Sequence, residues 1–310
     1  MPAEIDLLVL GDLNPDLVVR GDVEPAFGQA EKLVDGAGLV LGGSGAIMAC
    51  GAARLGLRVA VAGVVGDDVF GRFVRDELES RGVDVRAVSV DPSRPTGISV
   101  ILSRGDDRAT LTSPGTIGDL RGELVDLDLV HASRHVHVSS YFLQRDLRPD
   151  LPELFREAHE AGATTSVDPN WDPSEEWNGG LLSLLALTDC FFPNSAEARA
   201  ITGVDDIDIA AEALAEHGPV VAVKFGQGGG LAMAGGEVVR SESIPADVVD
   251  TTGAGDSFDA GFLAGRLAGW TLDRCLALAV SCGSLSTRAA GGTAAQPTMA
   301  EALAALEAVT

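Results

Sequence analysis

Asp250-Thr251-Thr252-Gly253-Ala254-Gly255-Asp256-Ser257-Phe258 is the stretch on which the reading of this chain turns. Gly253, Ala254 and Gly255 offer backbone shapes that bulkier residues resist, so successive amides can point into one concavity. Phe258 and Phe262 follow at helical spacing, which makes the glycines the opening of a helix. A helix N-terminus presents unpaired N–H groups and a partial positive charge, and both suit phosphate. A carboxylate, Asp256, sits within that turn, where a phosphate would repel it. Abstraction of a proton from a hydroxyl attacking the phosphate gives it a purpose. Read alone, Asp256 is equally a helix N-cap, the commoner role of such a residue.

The bulk properties narrow the field. A chain of 310 residues with 46% hydrophobic and 5% aromatic residues and 38 glycines fits Ala/Val/Leu/Gly packing in α/β layers. A net charge of −24 argues against a nucleic-acid or acidic-membrane partner and reads as a solubilising surface. Cys50, Cys190, Cys275 and Cys282 lie far apart with no Cys-x-x-Cys, as expected of buried thiols in a reducing cytoplasm. The first residues lack a basic region and a long apolar run, so neither a signal peptide nor a membrane span is expected.

Ile5 to Leu10 reads as a buried parallel strand, followed by Asp12-Leu13-Asn14-Pro15-Asp16 where open α/β sheets place ligands. An Asx-Pro turn accounts for the same residues. Residues 17–41 read as short strands of a small sheet. Gly42-Gly43-Ser44-Gly45 opens a helix of small residues ending at Gly56, and residues 58–65 form the next buried strand. Gly66-Asp67-Asp68 turns into a helix over 71–81. Residues 85–90 and 97–103, a hairpin turn at Gly105-Asp106-Asp107-Arg108, and a strand to Thr112 read as an antiparallel insertion pairing with 17–41. Short strands at 135–139, 164–167, 190–192 and 220–225 alternate with helices, the pattern of a doubly wound parallel sheet. His135 and His137 share a strand face, but without a third ligand they read as ordinary strand histidines. Asp168-Pro169-Asn170 is either a turn or a ligand contact. Asn194 and Glu197 have the spacing of a capping box. Lys224-Phe225-Gly226-Gln227-Gly228-Gly229-Gly230 is a loop against which a nucleotide can lie, without the fingerprint of a P-loop or a dinucleotide fold.

In chain order, the Gly42-Gly43 helix with Gly66-Asp67-Asp68-x-x-Gly71, Asn194-x-x-Glu197, Val223-Lys224-Phe225-Gly226, and Asp250 to Asp256 resemble the signatures of the ribokinase, or PfkB, family of carbohydrate and nucleoside kinases. The resemblance implies a three-layer α/β/α fold with a mostly parallel central sheet. It also implies a small β-sheet lid, contributed by roughly residues 14–40 and 94–116, that mediates a homodimer. It implies ATP-dependent phosphorylation of a hydroxyl by one kinase domain over 1–310, with Asp256 as base and Gly253, Ala254 and Gly255 as anion hole. Asn194 and Glu197 would order Mg2+ through water. Asn194, Lys224, Gly226 and Gly229 would hold ATP, with its adenine near Val280 and Gly283. Asn14, Asp16, Gly42, Gly43, Ile47 and Asp168 would meet the substrate, and Asp250 and Thr252, with the loop after Thr287, would bind K+.

Two departures bear on the acceptor. Many sugar kinases carry Asn where this chain has Ile47, and members acting on ketodeoxy acids carry Arg where it has Asp172. A sugar acid is thereby disfavoured, and a neutral sugar stands ahead of a nucleoside. A dinucleotide-dependent oxidoreductase would want a glycine fingerprint after the first strand, which Gly11-Asp12-Leu13-Asn14 lacks. A non-catalytic sugar-binding protein on the same fold remains the third reading.

Overall fold

Leu7, Leu8, Val9 and Leu10 are all fully buried, and alternate members feed opposite sides of one sheet: Leu7 and Val9 join one apolar core, Leu8 and Leu10 another. That double burial is why the strand reads as a continuous apolar run, and it fixes a helix–sheet–helix sandwich. The computed structural model describes residues 4–104 and 107–308.

The first half of the chain runs β1 (Leu7–Leu10), β2 (Asn14–Arg20), β3 (Gly36–Gly42), α1 (Ser44–Arg54), β4 (Val59–Gly66), α2 (Val69–Ser80), β5 (Asp84–Asp91), β6 (Ile98–Arg104) and β7 (Asp107–Ser113). It continues through α3 (Leu127–Ala132), β8 (His135–Val138), α4 (Leu151–Glu160), β9 (Thr164–Val167), α5 (Leu181–Leu185), β10 (Cys190–Phe191), α6 (Ser195–Thr202) and α7 (Ile207–Ala215). The last third holds β11 (Val220–Lys224), β12 (Gly230–Ala234), β13 (Glu237–Ser241), α8 (Ala254–Leu267), α9 (Leu272–Ser286) and α10 (Met299–Glu307).

Nine strands form the large sheet in the order β13-β12-β11-β10-β9-β8-β1-β4-β5. It is parallel from β11 to β5, and β12 and β13 add an antiparallel hairpin at one edge. Residues of α1, α2, α8, α9 and α10 cover one face, and those of α3 to α7 cover the other. A second sheet of four strands, β3-β2-β6-β7, stands apart from it.

Two sequence expectations are corrected here. Residues 85–90 are no part of the insertion: as β5 they pair in parallel with β4 at the edge of the large sheet. The small sheet is mixed, not antiparallel, because β2 pairs with β6 in parallel while β3 and β7 pair antiparallel outside them. A chain that leaves the small sheet, builds α1, β4, α2 and β5, and returns to it arrives in the same direction, which the local hairpin signal cannot reveal. Of the expected turn at 105–108, Gly105 and Asp106 lie outside the described residues. The hairpin β12–β13 carries no expectation at all; its Gly235-Gly236 turn was the available signal, with both glycines at positive φ.

Candidate active site

The C-terminal ends of β1, β9, β10 and β11 deliver Asp12, Asp168, Asn194 and Lys224 to one edge of the large sheet, where α8 also begins. Between that edge and the small sheet lies a cavity of about 1240 Å³. Asp12, Asn14, Asp16, Gly43, Ile47, Asp168, Asn194, Glu197, Lys224, Gly226, Gly229, Thr252, Gly253, Ala254, Gly255, Asp256, Val280 and Gly283 all line it. Gly42 and Asp250, also expected at the site, do not. Ser99 and Ile101 on β6 and Thr110 and Thr112 on β7 close it from the small sheet.

Gly42 and Gly43 work from behind. A Cβ on Gly42 would meet Asp16 Cγ at 2.1 Å, and one on Gly43 (φ +81°) would meet the Asp12 carbonyl oxygen at 2.6 Å. The double glycine therefore lets the Asp16 side chain and the Asp12 backbone close on the start of α1. Asp12 accepts from Ser44 N–H at 3.0 Å and Gly45 N–H at 3.1 Å, serving as the cap that Gly43 lacks a side chain to supply. Asn14 Nδ2 donates to Asp16 Oδ1 at 3.2 Å. Asp12, Asn14 and Asp16 are each nearly inaccessible to bulk water. Burial pushes the Asp12 carboxyl up against its amide donors.

Gly253 caps α8 at φ +72° with no side-chain cap, Ala254 N–H reaches the Thr251 carbonyl at 3.3 Å, and Gly253, Ala254 and Gly255 line the cavity. A Cβ on Gly253 would meet Ile47 Cγ2 at 2.7 Å and Gly292 Cα at 2.8 Å. Ile47 thus packs beneath the turn. Asp250 ties the turn to the last loop: its Oδ1 accepts from Thr252 N–H and Oγ1, at 2.9 and 2.7 Å, and its Oδ2 from Gly291 N–H at 2.9 Å. Asp256 is half-buried, and its carboxyl is pushed well above the ordinary range, chiefly by burial and then by the negative charge of Asp168. Lys224 works in the opposite direction.

The expected capping box is present. Asn194 Oδ1 accepts from Ala196 and Glu197 N–H, both at 2.9 Å, and Glu197 Oε2 accepts from Asn194 N–H at 2.8 Å. Glu197 is buried, and burial followed by repulsion from Asp168 raises it to about 7. Lys224 Nζ turns away from open solvent to Asp168 Oδ2 at 2.5 Å and to Asp259 Oδ1 and Oδ2 at 3.2 and 3.3 Å. Sequence reasoning gave Asp259 no role. Its position three residues after Asp256, on an otherwise apolar helix face, was the only signal.

His135 and His137 belong to the sheet core: Ser166 Oγ lies 2.7 Å from both His135 Nε2 and His137 Nδ1. Burial drives both imidazoles below their ordinary value, His137 to about 4. Among the described residues, no group of three His, Cys, Asp or Glu side chains could hold a metal ion. Asp172 spends its carboxylate on Ser174 N–H and Trp177 N–H, at 2.9 and 2.8 Å, and takes no part in the cavity lining. Asn170 (φ +52°) reaches Ser140 Oγ at 2.9 Å and Ser44 Oγ at 3.3 Å, so it ties the segments after β8 and β9 to the start of α1.

The family model of the pfkB family carbohydrate kinases matches residues 5–299. The chain belongs to that family. A fructokinase of Klebsiella pneumoniae is 35% identical to this kinase over 303 residues, covering 92% of this chain and 97% of the relative. An ATP-dependent ribose-1-phosphate kinase of Halopiger xanaduensis is 31% identical, covering 97% of each. A solved structure described as ribokinase II from E. coli, in complex with ATP and Mg2+, superposes with a TM-score of 0.87 at 25% identity, covering 98% of this chain and 99% of that one. The kinase is an ATP-dependent phosphotransferase with an alcohol group as acceptor. No helix among the described residues is long and apolar enough to cross a membrane.

Proposed function

We propose that this kinase transfers the γ-phosphoryl group of ATP to a hydroxyl of a neutral sugar, with Asp256 as general base. The observation that carries the reading is the convergence of Asp256, the Gly253–Gly255 turn, Asn14 and Asp16 on one cavity. Asp256 accepts the acceptor's hydroxyl proton as its oxygen forms a bond to the γ-phosphorus and the bond to the ADP oxygen breaks. The amides of Gly253, Ala254 and Gly255 hold the charge on the migrating group, and a preorganised donor of this kind is worth on the order of 3 kcal/mol. Asn14, Asp16 and Asp168 bind substrate hydroxyls. Gly226 and Gly229 flank ATP near Asn194, with the adenine against Val280 and Gly283.

Glu197 fits a hydrated Mg2+, because a buried carboxylate already pressed by Asp168 gains from a cation opposite it. Asn194 and Glu197 would hold it through water, and it would offset the charge of the phosphate groups. K+ at Asp250 and Thr252 fits less well. Both Asp250 oxygens already accept protein donors.

The neutrality of the acceptor rests on charge. Among the described residues lining the cavity, Lys224 is the one cation against Asp12, Asp16, Asp168, Glu197 and Asp256, and two carboxylates already hold it. A sugar phosphate or sugar acid would find no released counter-charge. The small sheet serves as the lid: Ser99, Ile101, Thr110 and Thr112 face the cavity, while Leu111, between two of them, faces out. Its closure excludes water from ATP. The exposed Leu39 and Leu111, with Phe27 and Leu33 on the loop joining β2 to β3, support a homodimer through the lid. Four buried thiols support a cytoplasmic location.

One observation favours a nucleoside as the second reading. Trp171 lines the cavity at 50% exposure, held edge-on by Trp177 with ring centroids 4.9 Å apart, and offers a face to a flat base. ATP consumption over matched sugars and nucleosides decides between them. Turnover with a neutral sugar supports the first reading, and turnover confined to nucleosides supports the second. ATP-dependent phosphorylation of only acidic or phosphorylated sugars sinks both.

A further inference from the structure

Asp168, Lys224 and Asp259 form a bridge that the transfer reaction does not itself require. Lys224 ends β11, Asp168 follows β9, and Asp259 lies one turn along α8 from Asp256. The three side chains are 12%, 8% and 1% exposed, so the bridge is an interior one. It lies directly behind the anion turn. A Cβ built on Gly255 would stand 3.6 Å from both Cδ and Nζ of Lys224. A side chain there would begin in ordinary van der Waals contact with Lys224, so the ammonium lies against the first turn of α8, held to two acidic side chains instead of being free to follow a ligand.

We propose that Lys224 and Asp259 are positioning residues for phosphoryl transfer: the bridge pins the first turn of α8 to β9 and β11 and fixes a positive charge behind the Gly253–Gly255 turn. The inference rests on Asp256 acting as the base. Interior charges of this kind are costly to desolvate, and apolar side chains of like volume would hold the helix as well or better. What apolar packing cannot supply is a field. Asp256 is surrounded by groups from four elements: Asp12 after β1, Asp168 after β9, Lys224 on β11 and Asp259 on its own helix, with Ser44 of α1 as a hydrogen-bond partner. His137 of β8 lies behind Asp168 and is neutral. Among the described residues, Lys224 is the one cation acting on Asp256, against Asp12, Asp168 and Asp259. The ammonium therefore opposes the rise that burial and Asp168 impose on Asp256 and favours its ionised, proton-accepting form. It also draws phosphoryl charge toward the amides in front of it. Asp259 and Asp168 hold Nζ at that depth from two sides, so the charge cannot swing out to pair with ATP.

The test is the pH dependence of kcat. Lys224→Met removes the one cationic side chain facing Asp256 among the described residues, and the acid limb should move up by at least one pH unit while KM for ATP and acceptor stays within about threefold. Lys224→Arg should restore the limb in part. Asp259→Asn, which removes no positive charge, should not move the limb upward. Lys224→Met leaves two buried acids unpaired and can unfold the protein, so the double variant Lys224→Met/Asp259→Leu, with the pair replaced by apolar groups of like size, is measured beside it; the same upward shift is expected. An unmoved limb in a folded variant overturns the proposal, as does a tenfold or larger rise in KM for ATP with the limb in place, which would make Lys224 a ligand of the nucleotide. Failure of the underlying reading looks different: Asp256→Asn would then turn over normally, whatever Lys224 does.

Discussion

At the scale of the residue, Asp256 carries the proposed proton transfer, and its surroundings set its acidity. Asp256→Asn keeps size and polarity but cannot accept the proton, so kcat should fall about 10²–10⁴-fold with KM for ATP little changed, as single-turnover and steady-state assays would read. Burial and Asp168 raise the Asp256 carboxyl in the folded enzyme. A base works in its ionised form, so turnover should rise as pH climbs through that elevated value and be lost below it. An acid limb at ordinary carboxylate acidity would contradict this. Asp256 was legible in the sequence because a carboxylate in a glycine turn at a helix start is chemically conspicuous. Asp259 was not, because the partner that gives it meaning lies 35 residues away in sequence, at Lys224.

At the scale of the element, the first turn of α8 is shaped by what lies under it. Gly253→Ala would force a left-handed conformation on an L-residue and drive its Cβ toward Ile47 and Gly292, a strain of about 1–3 kcal/mol. The variant should melt lower and lose most of its turnover, whereas a substitution in the exposed Gly235-Gly236 turn of the β12–β13 hairpin should cost stability without touching kcat. Asn194→Ala removes two accepted N–H bonds at the start of α6 and should cost about 1 kcal/mol in denaturant unfolding. The buried strands and caps could be read from the chain because period and cap spacing are local signals. The assignment of residues 85–90 to the large sheet and the parallel join of β2 to β6 could not. Both depend on where the chain returns after α1, β4 and α2, which no window of neighbouring residues encodes.

At the scale of the whole molecule, the two ends of the large sheet have separate duties. At the end remote from the cavity, Asp6 before β1 accepts from Arg58 Nε and Nη2, both at 2.9 Å, and from Arg134 Nη1 at 3.2 Å, so that β1, β4 and β8 start from one clamp. Hydrogen bonding by Arg58 holds the Asp6 carboxyl far below its ordinary value. Its contribution is therefore complete above the unfolded value near 4 and drains away as acid carries the pH below that point. Asp6→Asn should cost about 2 kcal/mol at neutral pH and flatten the loss of stability below about pH 4, with kcat unchanged. The four thiols carry a different consequence. Cys50, Cys190 and Cys282 are pushed by burial to about 12 and Cys275 to about 11. They are placed in α1, β10 and α9, and burial with a raised thiol pKa should make them almost unreactive toward alkylating reagents in the native protein. Each thus becomes a built-in clock: the order in which a slow alkylator marks them would report which part of the sandwich opens first, with no label engineered in.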